Sequence, residues 1–113
     1  MLTIYHNPRC RKSRETLELI KNKGLAPKII EYLNEPPSES EMKDILSKLD
    51  IQPEELLRKT ESIYKDQFKG KDLSGDEWIK VMIENPKLIE RPIVINKGKA
   101  VIGRPPENVL SII

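Results

Sequence analysis

Leu2-Thr3-Ile4-Tyr5-His6-Asn7-Pro8-Arg9-Cys10 is the stretch that decides how this chain folds. Its first four residues are β-formers in an alternating pattern, which predicts a strand. Pro8 cannot continue a central ladder, so His6-Asn7-Pro8-Arg9 reads as a turn. From Cys10 onwards the pattern is helical. Leu17, Ile20 and the less well placed Leu19 are its apolar positions, set among charged residues from Arg11 to Lys23. Gly24 stands where a glycine ends a helix, and Pro27–Leu33 reads as a second strand. Residues 1–33 thus form a β-α-β unit, which implies parallel strands and a right-handed crossover.

Outward from this unit, Asn34-Glu35-Pro36-Pro37 breaks the chain. Ser38 with Glu41 three residues later makes a capping box. Met42, Ile45, Leu46 and Leu49 follow at helical spacing. Pro53 opens a shorter helix bearing Leu56 and Leu57. Residues 60–72 are weakly periodic and read as irregular. Ser74 or Asp76 starts a third helix with Trp78, Val81, Met82 and Ile83, ended by Asn85-Pro86. Pro92–Ile95 and Lys99–Ile102 read as strands joined by a tight turn at Asn96-Lys97-Gly98. A last helix begins near Pro106 or Glu107 and carries Val109, Leu110 and Ile113. The order β-α-β, helical insert at about 36–86, β-β-α predicts one α/β domain over 1–113 with a mixed four-stranded sheet.

Composition narrows the function classes. The chain has 113 residues, 37% hydrophobic and 34% charged, enough for a packed core without disulfide or metal. Twenty Lys+Arg against 18 Asp+Glu leave a net charge of +2, too balanced for a dedicated nucleic-acid binder. No apolar run is long enough for a membrane helix, and the first residues lack the features of a signal peptide. The expected compartment is therefore the cytoplasm, where the single cysteine stays reduced. One Cys and one His also argue against a zinc site, so no metal is expected.

Cys10 opens a helix, where unpaired backbone N–H groups and the helix dipole favour thiolate over thiol. Arg9, Arg11, Lys12 and Arg14 add positive potential. Ser13, three residues on, suits either a hydrogen bond to a thiolate or the capping of first-turn donors. His6 suits thiolate support or a proton shuttle, and equally a solvated turn. Asn7 suits holding the loop through its amide, or simple turn formation. Arg58, Arg91 and Arg104 each stand at an element end, where binding residues collect. Guanidinium forks fit tetrahedral oxyanions, although each arginine alone reads equally as solvated. Arg91-Pro92 is a candidate cis bond.

Assembled, these pieces resemble the arsenate reductase family of the thioredoxin fold, in its glutathione- and glutaredoxin-coupled branch. The likeness rests on Ile4–Cys10, Ser13-Arg14, Thr16-Leu17, Leu56-Leu57-Arg58-Lys59, Asn85-Pro86, Arg91-Pro92-Ile93-Val94 and Gly103-Arg104-Pro105, in order along nearly the whole chain. The resemblance implies a thioredoxin-like fold and assigns roles. Cys10 matches the nucleophile that forms a thiol–arsenate adduct. Arg58, Arg91 and Arg104 match the arginines that hold the oxyanion. His6 matches the residue that supports the low thiol pKa, Ser13 the serine that hydrogen-bonds the thiolate, and Pro92 the structural cis-proline. No cofactor is expected to be bound. Glutathione is expected as co-substrate and glutaredoxin as partner, with no nucleic acid or membrane. Arg11-Lys12 departs from the family's small Gly-Thr kind of pair.

Two other readings share these residues. One is a glutathione-dependent thiol oxidoreductase of unknown substrate, in which the arginines would serve another anion. The other is a regulator resembling the Spx group, which binds RNA polymerase. Ser13 stands where that group commonly has the second cysteine of its switch.

Overall fold

The computed structural model describes residues 2–113. Four short strands form one sheet: β1 (Thr3–Tyr5), β2 (Lys28–Ile30), β3 (Ile93–Asn96) and β4 (Lys99–Ile102), in the order β2-β1-β3-β4. β1 pairs parallel with β2 and antiparallel with β3, and β3 pairs antiparallel with β4. This is the mixed sheet expected from the element order. The hairpin between β3 and β4 turns on Lys97 (φ 50°) and Gly98 (φ 79°). Two successive positive φ angles give the twist that a two-residue hairpin requires, and glycine adopts them without strain.

α1 (Arg11–Asn22) follows β1 as expected, but its fully buried stripe is Ser13, Thr16 and Ile20. Leu17 and Leu19 are only partly buried, packing beside the core cluster of Ile4, Ile20, Val94 and Val109. The helix thus turns two hydroxyls inward at helical spacing, and the sequence pattern of leucines points to the flank of the true face. β2 is shorter than Pro27–Leu33 because it lies at the sheet edge with Lys28 and Ile29 exposed. The final helix is a 3₁₀ segment, Pro106–Ser111, which buries Val109 and leaves Leu110 44% exposed. Expected core membership therefore holds for Val109 and fails for Leu110.

The chain divides into two compact units. One comprises the chain up to Glu35 with Arg91–Ile113, and the other is Pro36–Glu90. Within the second unit, α2 (Glu39–Leu49) and α3 (Gly75–Glu84) both begin with complete capping boxes, Ser38 with Glu41 and Ser74 with Glu77. They bury Met42, Ile45, Leu46, Trp78, Ile79 and Met82. Ile79 joins this core although the sequence stripe omits it, while Val81 and Ile83 stay half-buried. The stretch expected to be irregular contains a π-helical turn, Tyr64–Phe68, whose two aromatic rings flank Trp78 at centroid distances of 6.4 and 6.2 Å.

The reciprocal cap at Ser74 generates a stability test. Ser74→Ala removes an acceptor for the Glu77 N–H and should cost about 1 kcal/mol. That loss lowers Tm by about 4 °C in a chain of this size, as read by thermal melting.

Candidate functional site

Cys10 is the N-cap residue of α1, with extended backbone (φ −90°, ψ 122°). The loop before it closes on itself. The Cys10 N–H donates to the Asn7 carbonyl at 3.0 Å, and the Arg9 N–H donates to Asn7 Oδ1 at 3.0 Å. Arg14 reaches back from the first turn and donates Nη1 to the Pro8 carbonyl at 3.0 Å. Asn7 therefore holds the loop through its side-chain amide. The first turn of α1 contains no acidic residue, and no tight side-chain cap closes it. Its N–H groups and dipole are left to the sulfur and to an incoming anion.

Two arginines converge on that sulfur. Arg104 Nη2 lies 3.8 Å from Sγ and its Nε donates to the Arg91 carbonyl at 3.1 Å. The Arg91 guanidinium also hydrogen-bonds the thiol. Burial by itself pushes the Cys10 thiol up. The Ser13 backbone N–H and the Arg91 and Arg104 guanidiniums outweigh it, and they bring the thiol down from 9.0 to about 7. At neutral pH the thiolate is therefore far more populated than the few per cent of an ordinary cysteine. Cys10 is only 7% exposed, so a small tetrahedral anion has better access than a bulky electrophile.

The loop that carries Arg104 is fixed from two sides. Asn108 Nδ2 donates to the Arg104 carbonyl at 3.1 Å and the Ile102 carbonyl at 3.2 Å. On the other side Gly103 N–H donates to the Pro92 carbonyl at 2.8 Å. A Cβ on Gly103 would lie 2.6 Å from Thr16 Oγ1 and 2.9 Å from Pro92 Cγ. Only glycine lets this loop sit down on α1 and on Pro92 and so bring Arg104 to the thiol. The Arg91–Pro92 bond is cis, as expected, and Arg104–Pro105 is cis as well. Gly103, Thr16 and Asn108 thus support the site, although sequence reasoning assigned them no role. The spacing Ser13, Thr16, Ile20 was the signal available for Thr16. Nothing short of the tertiary contact marks Asn108.

His6 and Ser13 lie deep beside the thiol, at 6% and 0% exposure. His6 Nδ1 and Ser13 Oγ are 2.6 Å apart, and Ser13 Oγ accepts from the Asn7 N–H at 3.0 Å. The hydroxyl of Ser13 is thus engaged by His6 and Asn7, and it is the Ser13 backbone N–H that favours the thiolate. The hydroxyl role expected from the resemblance differs from this geometry because Ser13 points inward on the buried face of α1. Burial pulls His6 below its ordinary 6.5, opposed by Glu31 and reinforced by Lys21 and Arg14. The ring is therefore neutral at pH 7, and it bears on the thiol through Ser13.

The structure brings Cys10, His6, Asn7, Ser13, Arg91, Pro92 and Arg104 together in the first unit. Arg58 belongs to the second. Its guanidinium is 14% exposed and lies 3.5 Å from Glu61 Oε1 and 3.6 Å from Glu90 Oε1. Its backbone N–H donates to the Leu88 carbonyl at 2.7 Å. Among the described residues, no group of three or more Cys, His, Asp or Glu is placed to hold a metal ion.

These contacts predict a titration. The rate of Cys10 alkylation by iodoacetamide should rise with a midpoint near pH 7. In Arg104→Gln the midpoint should move up by about 1 unit, since one charge-assisted contact to the thiolate is lost. Gly103→Ala should raise it in the same direction, because the added methyl displaces the loop that carries Arg104.

Comparison with known proteins places the chain. A family model described as the ArsC family matches residues 5–112. The chain is 49% identical over 112 residues to the arsenate reductase of Haemophilus influenzae, covering 97% of each. It is 48% identical to the Escherichia coli protein YfgD, covering 97% of this chain and 94% of that one. The solved structure of an arsenate reductase from Vibrio cholerae superposes with a TM-score of 0.95 at 47% identity, covering 99% of this chain and 97% of that one. The shared fold is the thioredoxin-like one expected from the motifs, and the matches run through both the Cys10 loop and the insert. The chain belongs to the ArsC family.

Proposed function

We propose that this chain reduces arsenate to arsenite through a Cys10 thiol–arsenate adduct, with glutathione and glutaredoxin supplying the electrons. The observation that carries the reading is the Cys10 thiol at about 7, set at a helix N-terminus and bonded by Arg91 and Arg104. The same positive field that stabilises a thiolate attracts a tetrahedral oxyanion to it. Once the anion is seated, Sγ attacks arsenic, an As–O bond breaks and the departing oxygen leaves as water after protonation. The product is a covalent Cys10–S–As(V) adduct.

Reduction of As(V) to As(III) takes two electrons, and one protein cysteine cannot supply them by forming an internal disulfide. In the proposed sequence a glutathione thiol adds to the arsenic with loss of a second water. A glutaredoxin thiol then attacks the glutathione sulfur. The new S–S bond accounts for the two electrons left on arsenic, and hydrolysis of the Cys10–As(III) bond releases arsenite. No bound cofactor is needed. Such chemistry suits a reducing cytoplasm, and no helix in the described residues is long and apolar enough to cross a membrane. By its match to the family pattern, Arg58 is assigned with Arg91 and Arg104 to oxyanion binding, and Pro92 to shaping the site.

Arsenite formation with glutathione and glutaredoxin should be abolished in Cys10→Ser. Arg91→Gln, Arg104→Gln and Arg58→Gln should each raise KM for arsenate about tenfold or more, the loss of one charge-assisted contact. Equal turnover with thioredoxin alone would overturn the proposed reductant, and turnover by Cys10→Ser would overturn the nucleophile.

A further inference from the structure

Behind the catalytic loop, on the side of β1 and β2, lies a second cavity of about 290 Å³. Its walls include His6, Asn7, Arg9, Glu31 and Asn34, all from the first unit. A larger and more open hollow of about 510 Å³ between α1 and the C-terminal 3₁₀ segment is lined by Arg14, Glu15, Glu18 and Glu107 among others, and it holds none of the thiol's hydrogen-bonding partners. The smaller cavity differs in kind, because two of its walls are polar side chains more than nine-tenths buried.

His6 is 6% exposed and Asn7 8%. Each has one polar atom committed to the catalytic loop and another left over. His6 uses Nδ1 on Ser13, which leaves Nε2 for a ligand. Asn7 uses Oδ1 on the Arg9 N–H, which leaves both Nδ2 hydrogens. Neither atom is sealed off inside the protein, and both can complete their hydrogen bonds only with what enters the cavity. Arg9 and Glu31 supply a full charge of each sign at the same cavity, and among the described residues neither is in an ion pair. A lone anion would be repelled by Glu31, and a lone cation by Arg9. A ligand carrying both charges satisfies both walls, with a carboxylate toward Arg9 and an ammonium toward Glu31, and amide groups for Asn7 and Asn34.

We propose that this cavity binds the α-amino-acid end of a thiol-bearing peptide, and so is the docking subsite for the co-substrate. This assignment rests on the reading of glutathione as electron donor. The location suits the role, since the cavity wall ends at Arg9 and the nucleophile is the next residue. His6 is shared between the cavity and the Ser13 hydroxyl, so an occupied subsite touches the same hydrogen-bond network that lies against the thiol.

The test uses S-methylglutathione, which has both charged ends but no thiol to react. His6 is the only histidine in the chain, so its ring proton signals are unambiguous by NMR. Titration should shift them saturably in the wild type. Arg9→Gln and Glu31→Gln, both at exposed side chains, should fold normally and weaken that binding about tenfold each. In turnover Glu31→Gln should raise KM for glutathione by a similar factor and leave KM for arsenate unchanged. No saturable shift, or a shift that both variants preserve, would overturn the subsite. Free glutamate, which carries the same α-amino-acid headgroup, should shift the signals at higher concentration, and its failure to compete with S-methylglutathione would overturn the assignment of that end. The binding arm needs no arsenate, so a failure of arsenate reduction leaves it interpretable.

Discussion

The structure depends on one unusual helix cap. An N-cap is normally a Ser, Thr, Asp or Asn whose oxygen satisfies backbone donors. Both helices of the insert follow that rule, with Ser38 and Ser74 in reciprocal boxes. α1 does not. Its N-cap is Cys10, whose sulfur makes no tight cap, and its first turn holds Arg11 and Lys12 in place of the acidic residues that would neutralise the dipole. The stability forgone at that end is the source of the site's electrostatics. Donors that a carboxylate or hydroxyl would have satisfied remain directed at the sulfur and at whatever anion approaches it.

The rest of the first unit keeps that arrangement in place. The sheet brings β3 beside β1, so that Arg91 and Pro92 arrive next to the loop leading to Cys10. The hairpin returns β4 to Gly103, where the absence of a side chain allows contact with Thr16 and Pro92. Arg104 reaches Sγ as a consequence. A buried hydroxyl pair, Ser13 and Thr16, lines the face of α1 that meets these elements. Each is satisfied, Ser13 by His6 and Asn7 and Thr16 by the Lys12 carbonyl at 2.8 Å. Polar groups in the core are tolerated here because their hydrogen bonds are complete.

The pKa values divide labour between neighbouring groups. Cys10 is pushed down to about 7 by donors and cations, despite its burial. His6, without a tight carboxylate partner, is held down chiefly by burial. The pair is therefore poised at neutral pH as a partly ionised thiol beside a neutral imidazole. A second fixed positive charge on His6 would strengthen anion binding, but it would also hold the thiolate more firmly and weaken it as a nucleophile.

The sequence by itself determined the strand-turn-helix that places Cys10, the capping boxes and the order of elements. These are local matters, set by alternation, proline and cap chemistry within a few residues of one another. It also marked His6, Asn7, Ser13, Arg91 and Arg104 as candidates, because short motifs place them at element ends. What it left open is how they touch. That the serine backbone rather than its hydroxyl faces the sulfur, that Thr16 belongs to the buried face ahead of Leu17, and that Gly103 must lack a side chain all depend on residues up to 87 positions apart in the chain. Leu110 shows the same limit in reverse, since its apolar spacing suits a core that a 3₁₀ segment does not bring it into. Helical phase and close approach are settled only when separate elements pack. The tertiary structure therefore decided the charge on the thiol, and with it the chemistry the chain can perform.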